Sequence, residues 1–261
     1  MSSLRLGAVV YLNARPLTWA LDQERRWRVR YDLPSVCASI LAAGEVDLGL
    51  VPSIEYLRSP SYRFIPGVGI GSRGPVASVA VYGRGPIDRV RRIGVDTSSR
   101  TSIALLRVLC RHRWNINPEF VPHGPNLAAM TETYDAGLLI GDPALEIDHL
   151  ALGLTKIDLG EEWTSMTGLP FIYAAWTGPG KGVTDADIEA LQAAQAAGVQ
   201  AAAAIAEAYG GQDPVAVARG MAYLRDNMKY GLGEEESAGL QLFLDYAADL
   251  GLGARRRLEY F

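Results

Sequence analysis

Apolar runs of strand length alternate with stretches of helical period through the first two thirds of the chain, and the last third shows helical period alone. Runs at residues 4–10, 28–33 and 46–51 read as strands. Between them, 16–23 reads as a helix opened by Pro16, whose fixed φ suits a first turn, and 35–43 as a helix stopped by Gly44. A short helix follows Pro52 as far as Leu57, and strands at 62–65 and 77–82 complete a first α/β unit. Gly83, Gly85 and Pro86 are turn residues, and they mark the expected crossing to a second unit. That unit holds strands at 92–95, 119–121 and 136–140, helices at 101–111 and 127–133, and a short helix from Pro143. Residues 169–177 read as a strand leading back to the first unit. From Thr184 there follow an alanine-rich helix to about Tyr209, a helix opened by Asp213 and Pro214, and a third over 234–250 stopped by Gly251.

Strands alternating with helices at this spacing imply an α/β fold with mostly parallel sheets. One unit, a crossing, a second unit and a return give two lobes: residues 1–86 with 174–261, and residues 87–173. A chain of 261 residues is long enough for both. Two crossings make a hinged cleft, lined by the turns at the carboxyl ends of the strands. The C-terminal helices are read as close-packed support.

Composition narrows the function classes. Hydrophobic residues make up 49% and charged residues 21%, the balance of a folded soluble domain, and the net charge is −4. That charge argues against a nucleic acid or an acidic membrane surface as partner, so an anion site must be built locally. No run of about 18 apolar residues offers a spanning helix. The start shows no apolar segment with a small-residue cleavage site, so a cytoplasmic location is expected. Cys37 and Cys110 lie in apolar helical patterns and are expected to be buried free thiols. His112, His123 and His149 lack metal-ligand spacing, and no metal is expected.

Candidate chemistry concentrates at strand ends. Ser98, Ser99, Arg100, Thr101 and Ser102 stand between a strand and a helix, presenting free backbone N–H groups, the positive end of the helix dipole and a cluster of hydroxyls. The cluster is either a seat for a carboxylate or phosphate or an ordinary N-cap, which needs only one hydroxyl. Comparable turns are YLNARPL at 11–17, IGSRGPVAS at 70–78 and IGDPAL at 140–145. Taken with DTSSRTS at 96–102, GEEW at 160–163 and TGLPFIYAAW at 167–176, they resemble the chorismate dehydratase family of the futalosine route to menaquinone. Each motif is unspecific alone; six in the family's order and approximate spacing, over residues 6 to about 176, are specific.

The resemblance implies a two-lobed type II periplasmic-binding-protein-like fold and a cytoplasmic hydro-lyase. It would eliminate water from chorismate to give 3-enolpyruvylbenzoate, without a cofactor. It places Asn13 and Ser78 at the reacting centre, and Thr97, Ser98, Ser99, Thr101 and Ser102 around a substrate carboxylate. Tyr11, Arg15, Gly74, Pro75, Gly141 and Asp142 belong to the same segments and are expected to meet the substrate. Arg15, Arg73 and Arg100 either counter its two charges or are solvated; Tyr11 and Trp176 either floor its ring or fill core. Asp142, before Pro143, is either a base or a helix cap, and no histidine falls in a motif. The remaining candidate for proton acceptor is the substrate's own enolpyruvyl carboxylate. The partner is thus a small molecule, bound by a monomer or homodimer. Rival readings are a solute-binding or sensor protein of the same fold for a small organic anion, and the sister 1,4-dihydroxy-6-naphthoate synthase. The sister enzyme's start resembles SPCPND where this chain has Tyr11, Leu12 and Asn13.

Overall fold

Two five-stranded sheets face each other in the computed structural model, which describes residues 4–21 and 27–261. In the first sheet β1 (Leu4–Val9), β2 (Trp27–Asp32), β3 (Leu48–Pro52) and β4 (Tyr62–Ser72) run one way. In the second, β5 (Val79–Gly83) runs against β6 (Arg92–Asp96), β7 (Glu119–His123), β8 (Ala136–Ile140) and β9 (Thr155–Asp158). Finally β10 (Phe171–Pro179) returns to the first sheet, antiparallel to β3 and β4. The orders are β2-β1-β3-β10-β4 and β7-β6-β8-β5-β9. Each sheet therefore has one opposed strand, and in both it is the strand that follows a crossing. A chain leaving one sheet at its cleft-facing carboxyl end enters the other from the same cleft, and so must run away from it.

This topology moves the first crossing. Gly83 to Pro86 is a turn within the second sheet, since Val79–Gly83 pairs with both β8 and β9. Glycine and proline mark a reversal without saying whether it stays within a lobe. The chain crosses between Ser72 and Val79, and it returns through α6 (Leu159–Thr167) into Phe171, slightly ahead of the boundary expected at 173–174. Strand β4 runs on through Pro66 to Ser72 because it is an edge strand, where proline removes no ladder hydrogen bond.

Helices α1 (Arg15–Thr18), α2 (Pro34–Ala42), α3 (Arg100–His112), α4 (Leu127–Thr133) and α5 (Gly141–Glu146) follow strand ends. The first ends at Thr18, short of the expected 23, and Asp22 and Gln23 lie outside the described residues. After β10 come α7 (Asp185–Gln200), α8 (Ala202–Gly210), α9 (Pro214–Ala222) and α10 (Glu234–Asp249). The single helix expected from Thr184 is thus two, broken at Ala201. Gly198 lets α7 lie against Pro16, where an added Cβ would stand 1.9 Å from the Pro16 carbonyl oxygen. A π-helical turn, Tyr223–Asn227, follows α9. One core of buried side chains runs from Leu6, Phe64 and Trp176 of the first sheet to Val81, Ile93 and Leu138 of the second. No described helix is long and apolar enough to cross a membrane.

Candidate active site between the sheets

Where the strand ends face each other, Tyr11 and Asn13 after β1, Ser99 and Ser102 at the start of α3, Gly141 after β8 and Tyr173 on β10 line one cavity. Among the described residues no arginine or lysine lines it, so the polar groups described there are neutral side chains and the amino end of α3.

The hydroxyl cluster divides by direction. Ser99 is the N-cap of α3: its Oγ accepts from the Ser102 N–H at 3.2 Å and donates to Ser102 Oγ at 2.8 Å. Ser99 therefore caps the helix and also faces the cavity. Ser98 and Thr101 join the lobes instead. The Ser98 carbonyl accepts from the Ser35 N–H, its Oγ lies 3.4 Å from the Tyr11 hydroxyl, and Thr101 Oγ1 accepts from the Ile54 N–H at 3.2 Å. Thr97 is exposed and does neither. Asp96, just before the cluster, is buried; one oxygen accepts from the Ser98 N–H, and burial raises its pKa.

Ser78 is also buried, immediately behind cavity-lining Val79. Its Oγ stands 2.6 Å from the Tyr223 hydroxyl, and its carbonyl accepts from the Gly141 N–H at 2.8 Å. The backbone leading to it is held in an unusual shape. Ala77 has φ 65°, the two oxygens of Asp158 accept from the Val76 and Ala77 N–H groups at 3.0 and 2.7 Å, and Lys156 Nζ donates to the Ala77 carbonyl. A left-handed alanine costs about 1–2 kcal/mol, and such strain persists where surrounding contacts impose it. Asn13 sits in the short 3₁₀ turn Leu12–Ala14 directly after β1.

Asp142 turns away from the cavity: its carboxylate accepts from the Leu12 N–H at 3.0 and 3.3 Å, tying the lobes together. Burial, with Glu146 adding, raises its pKa to about 6. Gly141 before it has φ 67°, and a Cβ there would come within 2.8 Å of the Tyr11 ring. The three motif arginines have partners outside the cavity. Arg15 lies over the Tyr31 ring at 5.2 Å, Arg73 pairs with Glu235, and Arg100 bridges to buried Glu55 at 3.0 Å. Gly74 donates its N–H to Thr164 Oγ1, and Pro75 is exposed. Arg15, Gly74, Pro75, Thr97 and Asp142 are thus drawn elsewhere, because each motif is a turn with two sides and only one meets the cleft. Trp176 is core.

His112 stacks on Tyr246, His149 leans on Tyr82, and His123 Nδ1 lies 2.8 Å from the Gly124 carbonyl; none lines the cavity. Cys37 and Cys110 are buried free thiols whose pKa values burial pushes up to about 12. Among the described residues no three His, Cys, Asp or Glu side chains converge as metal ligands. Two tyrosines are not singled out by the sequence, Tyr173 although it lies inside the 167–176 motif and Tyr223 outside every motif. Tyr173 lines the cavity and meets Ser72 Oγ at 3.0 Å; Tyr223 comes from the C-terminal helices, where no local signal distinguishes it.

Two sheets joined by two crossings, with a cavity at their facing strand ends, are the architecture of the periplasmic-binding-protein fold. Solved structures agree. A crystal structure of an Archaeoglobus fulgidus protein superposes with a TM-score of 0.74 at 17% identity, over 95% of this chain and 98% of that one. The periplasmic aliphatic sulphonate binding protein of Escherichia coli gives 0.69 at 18% identity, over 99% and 90%. Within that fold, the chain belongs to the menaquinone biosynthesis family, which matches it over residues 4–249. A chorismate dehydratase of Thermus thermophilus is 30% identical over 264 aligned positions, spanning 92% of this chain and 93% of the relative.

Proposed function

We propose that this chain is a chorismate dehydratase, a cytoplasmic hydro-lyase acting in menaquinone biosynthesis. The observation that carries the reading is the meeting of Asn13, from one lobe, with Ser99 and Ser102, from the other, in one cavity of a chain of this family.

Chorismate carries two carboxylates, one on the ring and one on the enolpyruvyl side chain. In the elimination the C3–H bond breaks and its proton passes to the enolpyruvyl carboxylate. The electron pair enters the ring, where conjugation with the ring carboxylate spreads the charge. The C4–O bond then breaks, the hydroxyl takes that proton from the enolpyruvyl carboxyl and departs as water, and the ring becomes aromatic. Donors aimed where charge develops lower such a barrier most, and the start of α3 with Ser99 and Ser102 supplies them for a carboxylate. Asn13 and Ser78 would orient the leaving hydroxyl and the side-chain carboxylate, a positioning effect that is large even with a weak base. The turning of Asp142 toward Leu12 and the distance of the histidines support a proton acceptor on the substrate itself.

The test is incubation of the purified chain with chorismate, followed by mass spectrometry. A product one water lighter, aromatic in its ultraviolet spectrum, is expected. Retention of chorismate without conversion favours a solute-binding role of the same fold, and indifference to chorismate refutes the reading.

A further inference from the structure

We infer that Tyr223 is a positioning residue of the reacting centre, its hydroxyl holding Ser78 and Asn13 in one hydrogen-bonded set. The inference rests on the function proposed above. Three observations carry it. First, the Tyr223 hydroxyl, on a side chain only 1% exposed, stands 2.6 Å from Ser78 Oγ and has the Asn13 side chain as a second hydrogen-bonding neighbour. One phenol therefore bonds one of the residues assigned to the reacting centre and has the other as its neighbour.

Second, the turn that carries Tyr223 is specialised. Its Met228 N–H donates to the Tyr223 carbonyl, a five-residue π spacing that is rare and needs a tertiary reason to persist. From the same turn, the Asn227 side-chain amide donates to the Pro75 carbonyl at 2.9 Å. Tyr223 and Asn227, one wide turn apart, thus grip the first crossing at two points. The C-terminal helices are tied through this turn to the segment that presents Ser78.

Third, the hydrogen-bond inventory gives the set a direction. Burial raises the pKa of the Tyr223 phenol, so it keeps its single proton. With the asparagine NH2 turned toward the phenol oxygen, the phenol proton is directed to Ser78 Oγ. The Ser78 N–H goes to the Val76 carbonyl, and the Ser78 carbonyl is taken by Gly141. With the phenol donating, the hydroxyl proton of Ser78 is not taken by any of these groups. Without the phenol, Ser78 Oγ loses the partner that fixes which way it donates.

Tyr223→Phe removes one oxygen and keeps the ring. We expect kcat to fall by about tenfold or more, with KM within about threefold and the melting temperature unchanged, the pattern for an interaction made in the transition state. In a Ser78→Ala background the same substitution should cost no more than about twofold, because the two act as a unit. Wild-type kcat in Tyr223→Phe, or an undiminished loss in the Ser78→Ala background, overturns the inference. A substrate-free readout separates it from the proposed function. The Asn13 side-chain amide signals in ¹⁵N NMR should move in both single variants, and unmoved signals refute the network even if activity falls. A wild-type chain that leaves chorismate unchanged refutes the functional reading, while the amide shifts still decide the network.

Discussion

Asp142→Asn should make the protein more stable above pH 6 and change it little near pH 4. The carboxylate is half-buried at the junction of the lobes and accepts one backbone N–H, that of Leu12. Asparagine keeps an oxygen for that bond and removes the charge. Burial, with Glu146 adding, lifts the carboxyl pKa from 3.8 to about 6. At 1.36 kcal/mol per unit, a rise of about two units corresponds to roughly 3 kcal/mol against the ionised form. Water reaching the half-buried group screens part of this, so about 1–3 kcal/mol is the expected gain.

The sign follows from proton counting. Between pH 4 and 6 the folded protein holds a proton that the unfolded chain has released, so wild-type stability falls as pH rises. Well above pH 6 the penalty is complete and constant; near pH 4 the folded carboxyl is protonated and the unfolded one still partly so, and most of the penalty is gone. Thermal unfolding of both proteins from pH 4 to 8 measures it. For a chain of this length, about 2–4 °C per kcal/mol predicts a variant melting roughly 2–12 °C higher at pH 8, with the gap closing toward pH 4. A gap independent of pH, or a variant less stable at pH 8, refutes the reasoning. The variant should also keep most of its turnover. Loss of chemistry with normal binding would instead make Asp142 the proton acceptor, and the substrate-assisted route would be wrong.

Asn13→Ala should lower kcat on chorismate by about tenfold or more, the scale for one lost transition-state donor, and full activity in steady-state assays would remove Asn13 from the centre. Ser99→Ala should cost about 1 kcal/mol of stability as a lost cap and weaken ligand binding by a further 1–3 kcal/mol; unchanged affinity in calorimetry would leave it a cap alone. Gly141→Ala forces a Cβ to within 2.8 Å of the Tyr11 ring at φ 67°. The conformation alone costs about 1–2 kcal/mol, so a lower melting temperature is expected, and an unchanged one would show that the lobes do not close on Tyr11 as described.

Much of the architecture was legible from short-range chemistry. The alternation of strands and helices, the cap at Ser99 and the turn after β8 depend on residues within a few positions of one another, so the sequence pattern carries them directly. The candidate cleft was legible in the same way, because strand-to-helix turns are local and four of the six motifs, 11–17, 96–102, 140–145 and 160–163, contain or adjoin one.

What required the folded chain was every choice among distant surfaces. Whether 79–83 joined the first sheet or the second depended on its pairing with β8 and β9, and the glycines and proline after it mark a bend equally well in either case. The hydroxyl cluster could not be divided into cavity-facing and lobe-joining members until Ile54 and Ser35 lay beside it. Arg100 read as a counter-charge or a solvated cation until Glu55 took it, and Asp142 as a base or cap until the Leu12 N–H did. Tyr223 and Ser78, 145 residues apart, meet only because a wide turn after α9 reaches the crossing. Local periodicity determines which elements form. The partners of polar groups in a buried cleft are decided by the free energy of leaving them unpaired, and that depends on the whole fold.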